Sequence, residues 1–269
     1  MTVSVWSTFT FAIRNTIRPV TLGFVGLQVA SAGVFVIWAQ IRIAQLTALN
    51  DPDAWQSYLW QTNILNILLG LLSLPLFVIL SSRLSADVFG RPFPVTWWRG
   101  SLRALKVAAI LFAALFVILL PGALLQAFLF RPEETSPIYG ILLTLLPMLV
   151  ALWCLFSHIF YGYGVMFKGR FGFRQARDYA RGRRLRLVGG MVLLVLVTMP
   201  IQVLLRYEPI QPLFMRPYGG LLTISALFGL LGVAFQLLVL RDFFEAMDEA
   251  DARMAASPPP EIAPTAFEG

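Results

Sequence analysis

Few side chains in this sequence could carry out chemistry, and the single histidine, His158, is the first to consider. It lies inside a long apolar stretch, directly after Ser157. A titratable side chain within a membrane segment is by itself a reason to consider proton transfer or metal binding. The sequence places His158 close to the end of that stretch. A hydrogen-bonded structural histidine is therefore the alternative interpretation.

The other groups that catalysis or metal binding would need are missing from the sequence. There is no His-Glu-x-x-His motif, and Cys154 is the only cysteine, so it has no intramolecular disulfide partner. A serine–histidine pair would need a strained nucleophile turn of the Gly-x-Ser-x-Gly type, which does not occur. We therefore predict no catalytic residue, no metal ligand and no cofactor, and we expect that the protein is not an enzyme.

Arginine dominates the charge of the chain. The net charge is +7, and Lys106 and Lys168 are the only lysines. Pairs of arginines four residues apart occur three times, at Arg14/Arg18, Arg99/Arg103 and Arg177/Arg181. A spacing of four places both guanidinium groups on one face of a helix. We predict that each pair lies on a short basic amphipathic helix in the membrane interface, with its arginines toward lipid phosphates.

The segment from Lys168 to Arg186 is the densest candidate site, with eight cations in 19 residues and only Asp178 to offset them. Near a membrane surface each such cation contributes about 1 kcal/mol to the binding of anionic lipid. The predicted lipid- or partner-binding residues are Arg99, Arg103, Arg174, Arg177, Arg181, Arg183 and Arg184. In the alternative interpretation these arginines only fix the topology and extend toward the headgroups.

Six stretches of at least 18 residues carry no charge, in a chain that is 58% hydrophobic and 13% charged. About 20 apolar residues in a helix cross a hydrocarbon layer, and helices satisfy their own backbone hydrogen bonds. We predict an all-α integral membrane protein whose six transmembrane helices form three hairpins. The expected spans are residues 20–41, 61–82, 105–129, 138–163, 187–205 and 219–240.

The chain after the last span changes character. Residues 242–256 combine carboxylates with aromatic side chains, which predicts an acidic amphipathic helix that neutralises part of the basic belt. Residues 257–269 begin with Ser257-Pro258-Pro259-Pro260 and are predicted to be disordered.

The cations are distributed unevenly among the loops that join these spans. If the N-terminus is cytoplasmic, 17 of the 21 cations lie on the cytoplasmic side and 4 lie outside. Positive charge accumulates in short cytoplasmic loops. We therefore expect a multi-pass protein of the bacterial inner membrane with both termini in the cytoplasm. Because the basic residues flank apolar spans, we expect them to meet anionic lipid headgroups or a partner protein, and no nucleic acid.

The second and third arginine pairs share a wider pattern, which favours an internal repeat of three hairpin units. Gly90-Arg91-Pro92-Phe93 corresponds to Gly169-Arg170-Phe171-Gly172, and a proline follows each pair at a similar distance. In the alternative interpretation, basic residues simply precede every helix that starts on the cytoplasmic side.

The pattern Phe173-x-x-Ala176-x-x-x-x-Arg181-Gly182-x-x-x-x-Leu187-x-Gly189, placed before a span, resembles that of uncharacterised six-span bacterial inner-membrane proteins. Those proteins are similar to the membrane domain that is fused to some glycerophosphodiester phosphodiesterases. The resemblance implies the architecture alone, since no catalytic residue of the phosphodiesterase domain has a counterpart here.

Together these features predict a non-enzymatic inner-membrane protein whose cytoplasmic arginine belt binds anionic lipid or a partner protein. The alternative is a transporter, or the permease subunit of one, for an apolar or lipid-like substrate. The shortage of polar residues within the spans argues against a path for ions or sugars.

Overall fold

A computed structural model describes residues 4–49, 52–129, 137–206 and 219–256. These described residues form nine helices and no strand. The helices are α1 (Val5–Thr16), α2 (Pro19–Leu49), α3 (Pro52–Phe89), α4 (Trp97–Leu129), α5 (Pro137–His158), α6 (Phe160–Lys168), α7 (Phe173–Ala180), α8 (Arg184–Arg206) and α9 (Gly219–Ala256).

The protein is a multi-pass helical membrane protein. Within the described residues, five segments are long and apolar enough to cross a membrane, namely Pro19–Gln45, Gln56–Phe89, Trp97–Pro121, Leu149–Lys168 and Thr223–Ala256. Large apolar side chains such as Leu72 and Phe112 are more than 70% exposed, as a surface covered by hydrocarbon would be. The predicted span 187–205 lies on α8 and is not among these five segments. Six spans and three hairpins therefore stay predictions.

The packed core of the described residues lies at the end of the bundle that carries the basic residues. Helix α9 is central there, in contact with α1, α2, α6, α7 and α8. Its side chains are buried on all sides around Leu237, Leu240 and Phe243. A helix surrounded by other helices is apolar around its whole circumference, and residues 237–240 of α9, Leu-Leu-Val-Leu, have that composition.

A glycine with a positive φ ends both α3 and α6. Gly90 and Gly169 both have a positive φ, of 69° and 73°, which glycine adopts without a steric penalty. The N–H of each glycine donates to the carbonyl four residues earlier, as in a helix C-cap. An arginine follows each glycine, and then a buried phenylalanine, Phe93 or Phe171. The two turns share the glycine but differ after it, since the N–H of Arg91 donates to the carbonyl of Ser85 and that of Arg170 to the carbonyl of Lys168.

The prediction of three separate basic helices is wrong for the second arginine pair. Helices α1 and α7 are separate and short, but the second arginine of each pair, Arg18 or Arg181, lies just beyond the end of its helix. Arg99 and Arg103 instead lie in the first turns of the long helix α4. Pro19 begins α2 after a break, and Gly182, with φ of 81°, separates α7 from α8. No proline or glycine lies between Arg103 and the apolar part of α4, so that helix continues without interruption.

The apolar faces of the two short helices are covered by protein. Phe9 and Ala12 of α1 pack against α8 and α9, and Ala176 and Ala180 of α7 are fully buried. Their burial leaves the arginines of α7 on the exposed side. Residues 242–256 are helical and continue α9 without a break, while residues 257–269 lie outside the described part.

The close contact between Gly164 of α6 and the ring of Phe171 provides a test of the packing in the core. A Cβ atom added at Gly164 would lie 2.1 Å from Cδ1 of Phe171, whose ring is buried. We expect the Gly164→Ala variant to lose about 1–3 kcal/mol of stability by overpacking. Thermal unfolding of the purified protein in detergent measures this loss.

The matched control is Gly162→Ala, two residues earlier on the same helix. A Cβ there would lie 3.5 Å from Cγ1 of Val107, an ordinary contact. This variant should unfold at or above the wild-type temperature, because alanine favours a helix over glycine by roughly 1 kcal/mol. Equal unfolding temperatures for the two variants would contradict the contact between Gly164 and Phe171.

Candidate functional site

The acidic end of α9 forms a strip that meets the basic residues of three other segments. This acidic strip consists of Asp242, Glu245, Asp248, Glu249 and Asp251. Arg186 pairs with both Asp242 and Glu245, at 2.7 Å each. The other ion pairs to these segments are Arg91 with Asp248 at 2.9 Å, Lys168 with Asp251 at 3.8 Å, and Arg183 with Glu249 at 2.5 Å. The acidic residues thus neutralise part of the basic belt, as their sequence predicted.

The ion pair between Arg186 and Asp242 is the most buried of these contacts. Nε of Arg186 donates to Oδ2 of Asp242 at 3.0 Å, and Nη2 lies 2.7 Å from Oδ1. The side chain of Asp242 is 0% exposed and that of Arg186 is 11% exposed. Burial lowers the pKa of Arg186, but the carboxylates of Asp242 and Glu245 outweigh burial and hold that pKa above its ordinary value. The guanidinium therefore stays charged and fixes α8 against α9.

Three of the seven predicted binding arginines make contacts with other residues of the protein. Arg183 pairs with Glu249, Nη1 of Arg103 donates to the carbonyl of Val165 at 3.3 Å, and the guanidinium of Arg184 lies 5.2 Å from the ring centroid of Trp153. These contacts are intramolecular, and they give each of the three side chains a structural role.

The other four predicted arginines are left facing outward. The side chains of Arg99, Arg174, Arg177 and Arg181 are exposed, and none has a hydrogen bond or ion pair to another described residue. Arg99 follows Trp97 and Trp98, which are 53% and 58% exposed. We call Arg99, Arg174, Arg177 and Arg181 the four exposed arginines.

His158 occupies a structural position. Its Nδ1 lies 2.9 Å from the carbonyl oxygen of Cys154, and since a carbonyl only accepts, Nδ1 is the donor. The ring contacts Phe173 edge-on, at 5.3 Å between centroids, beside an apolar cavity of about 290 Å³. Among the described residues no group of three or more histidine, cysteine or acidic side chains could hold a metal ion. This geometry agrees with the structural interpretation of His158.

The fold also brings together polar residues that lie on different helices and form no pattern in the sequence. A cleft of about 400 Å³ between α2, α3 and α9 is lined by Gln28, Ser31, Asn66, Ser73 and Ser225. We call it the polar cleft. Each of these side chains is isolated within an apolar run, so the sequence predicted no polar site there. The signal that could have found it is the amide group of Gln28 or Asn66, because an amide is costly inside a membrane span.

Comparison with known proteins gives no match to this chain, whether with family models, curated proteins or solved structures.

The buried pair of Arg186 and Asp242 predicts a large loss of stability when one partner is removed. In the Arg186→Gln variant the carboxylate of Asp242 stays buried without its cation, which costs about 3–5 kcal/mol. Denaturation of the purified protein in detergent measures the loss. The control is Arg177→Gln, whose exposed side chain should change stability by less than about 0.5 kcal/mol.

A double variant distinguishes the contribution of charge pairing to stability from that of packing at this position. Arg186→Met combined with Asp242→Leu removes both charges and keeps apolar volume, so it should recover much of the lost stability. If Arg186→Gln were as stable as Arg177→Gln, the ion pair would not hold α8 against α9.

Proposed function

We propose that this protein is a non-enzymatic, multi-pass protein of the bacterial inner membrane whose cytoplasmic basic surface binds anionic phospholipid. The proposal includes six spans and cytoplasmic termini, which the charge distribution supports. The observation that carries it is the division of the arginines into paired and exposed sets. The acidic strip neutralises the cations beside it, whereas the four exposed arginines have no carboxylate partner among the described residues.

The position of the four exposed arginines favours lipid headgroups as their partner. Tryptophan is enriched where hydrocarbon meets water, so the exposure of Trp97 and Trp98 supports a position of Arg99 at headgroup level. On α7, the burial of Ala176 and Ala180 directs Arg174 and Arg177 to the opposite side. Anionic headgroups are present at this level of the membrane, and each cation there contributes about 1 kcal/mol to their binding.

Replacing the four exposed arginines by glutamine tests this proposal. The quadruple variant should retain anionic phospholipid at least about tenfold less well relative to zwitterionic phospholipid, because four favourable charge contacts are lost. Native mass spectrometry of the protein released from bilayers of phosphatidylglycerol and phosphatidylcholine measures the two lipids.

The control replaces the same four arginines by lysine, which keeps the charge and should keep most of the preference for anionic lipid. Unchanged lipid retention in the glutamine variant would contradict the proposal. If the glutamine variant instead lost a co-purifying acidic protein and kept its lipid, the basic surface would be a protein-binding site.

The polar cleft favours a second candidate function, a transporter or the permease subunit of one. Gln28 and Asn66 are exposed within the cleft and lie far from the ends of α2 and α3. Polar side chains at membrane depth usually face a water-filled cavity, a substrate path or another helix. A cleft lined by five polar residues supplies hydrogen-bonding groups that the separate spans do not. An amphipathic substrate would find both polar and apolar walls there.

Cysteine labelling tests whether water fills the polar cleft. In a Cys154→Ser background, the Ser73→Cys variant should react with a membrane-impermeant maleimide, because a thiol needs water to form the reactive thiolate. The matched control is Leu72→Cys, one residue away at the same depth. Leu72 is 74% exposed on the apolar surface, so its replacement should face hydrocarbon and stay unlabelled. No labelling of the Ser73→Cys variant would exclude a water-filled path.

A further inference from the structure

The polar cleft lies near the middle of the hydrocarbon layer. Four of its polar side chains lie within seven residues of the middle of a segment long enough to cross the membrane, namely Gln28 and Ser31 of α2 and Asn66 and Ser73 of α3. At the helical rise per residue, seven residues correspond to about 10 Å along the helix axis. The hydrocarbon layer is about 30 Å thick, so these side chains are inside it. A ligand of the cleft must therefore be stable in hydrocarbon.

The side-chain amides of Gln28 and Asn66 can hydrogen-bond a ligand in the cleft. Both residues are exposed, and neither amide has a hydrogen bond to another described residue. Each amide has two N–H donors and a carbonyl acceptor. Oγ of Ser73 donates to the carbonyl of Gly70 at 3.0 Å and keeps its lone pairs as acceptors. Because an unpaired amide is costly in hydrocarbon, these groups favour a ligand that both donates and accepts hydrogen bonds.

The cleft has no charge that could neutralise a charged ligand. None of the described residues that line it is ionisable. A charged group that moves from water into hydrocarbon without a counterion pays a large desolvation cost. Phosphate, carboxylate and ammonium groups are therefore disfavoured in the cleft. Hydroxyl and ester groups are uncharged, and the amides can supply the hydrogen bonds that they need.

The remaining wall of the cleft is apolar, and the cleft is open to the side. Phe35 and Leu74 are among its apolar residues, and its volume of about 400 Å³ is within the usual range for ligand pockets. Asn66, Gly70 and Phe77 are spaced four and seven residues apart, so they follow one face of α3, and all three are exposed. A molecule with a long apolar chain can therefore reach the amides from the surrounding hydrocarbon.

We propose that the polar cleft binds an uncharged, hydroxyl-bearing lipid of the diacylglycerol type. Its hydroxyl and ester oxygens form hydrogen bonds with the amides of Gln28 and Asn66, and its chains lie against the apolar wall. The inference rests on the cleft of the second candidate function and names its substrate class, but binding does not require transport. It does not depend on the basic surface, whose arginines bind charged headgroups at the membrane surface.

Competition between two lipids with the same chains tests this assignment. The protein is reconstituted in phosphatidylcholine bilayers with a diacylglycerol that carries a photoreactive diazirine in one chain, and cross-links to peptides of α2 and α3 are measured by mass spectrometry. Unlabelled dioleoylglycerol should reduce these cross-links at least about tenfold more effectively than dioleoyl phosphatidic acid, whose phosphate would bring an unpaired charge into the cleft. Equal competition by the two lipids, or cross-links that neither lipid reduces, would overturn the proposal.

Replacing the two amides tests their role. The Gln28→Leu and Asn66→Leu variants should each reduce cross-linking by diacylglycerol, and the double variant should reduce it about tenfold, because two hydrogen bonds are lost. Both side chains are exposed, so the variants should keep the wild-type unfolding temperature in detergent. The matched control is Asn63→Leu, three residues before Asn66. Asn63 is also exposed but does not line the cleft, so this variant should cross-link as the wild-type protein does.

A double variant that cross-linked as well as the wild-type protein would refute the roles of Gln28 and Asn66. If that variant instead lost a dimer seen for the wild-type protein in native mass spectrometry, the amides would join two copies of the chain, and the proposal would be wrong.

A larger side chain at Gly70 should block the cleft. A Cβ atom added there meets nothing within 4 Å, so leucine fits on α3 without strain and occupies the cleft. We expect the Gly70→Leu variant to lose most of its cross-linking. The control is Gly33→Leu on α2, where an added Cβ also meets nothing within 4 Å but the residue does not line the cleft. Equal cross-linking of these two variants would show that the lipid binds elsewhere.

These results are distinguishable from the tests of the two proposed functions. The variant in which the four exposed arginines are glutamine should keep its cross-linking by diacylglycerol, because the cleft contains no arginine. A cleft that is labelled at Ser73→Cys but binds no diacylglycerol would contradict this inference and keep the water-filled path. A cleft that binds diacylglycerol and stays unlabelled would support the inference and exclude that path.

Discussion

The buried ion pair between Arg186 and Asp242 is the contact on which the arrangement of the basic end depends. With Asp242 fully buried, neither charge can lose its partner without a large desolvation cost. The pair therefore fixes α8 against α9 at one register. Because α9 continues without a break and Arg183 lies directly before α8, the same register brings Glu249 to Arg183. Arg91 and Lys168 reach the acidic strip from two other segments, after α3 and at the end of α6.

The chain contains two kinds of arginine as a result. Those beside the acidic strip, such as Arg183 and Arg186, are structural, because they hold segments distant in sequence against α9. The four exposed arginines lie on α4 and around α7, where no described carboxylate reaches them. Net charge and local density do not distinguish these sets. In the function proposed here, this division concentrates the interaction with anionic lipid on a small part of the basic belt.

Hydrocarbon imposes a second constraint, on where polar side chains can lie. The polar cleft adjoins a cavity of about 280 Å³ between α3, α4, α6 and α9, since Leu74 and Phe77 of α3 line both. The two differ in the composition of their walls. The cleft has several polar side chains, as a path for water or an amphipathic molecule would, whereas the wall of the cavity is almost entirely apolar. The same helix thus faces two environments suited to different ligands.

The sequence alone determined the helical class and the membrane setting. These features depend on a local property, namely the length of uncharged apolar runs. The continuity of α4 through Arg99 and Arg103 was missed, because an arginine pair has the same spacing at the start of a long helix as on a short one. Only the tertiary structure decided which arginines are paired, since Arg186 and Asp242 are 56 residues apart. It likewise brought Gln28, Asn66 and Ser225 to one polar cleft, because such arrangements arise from packing between distant helices and leave no local pattern.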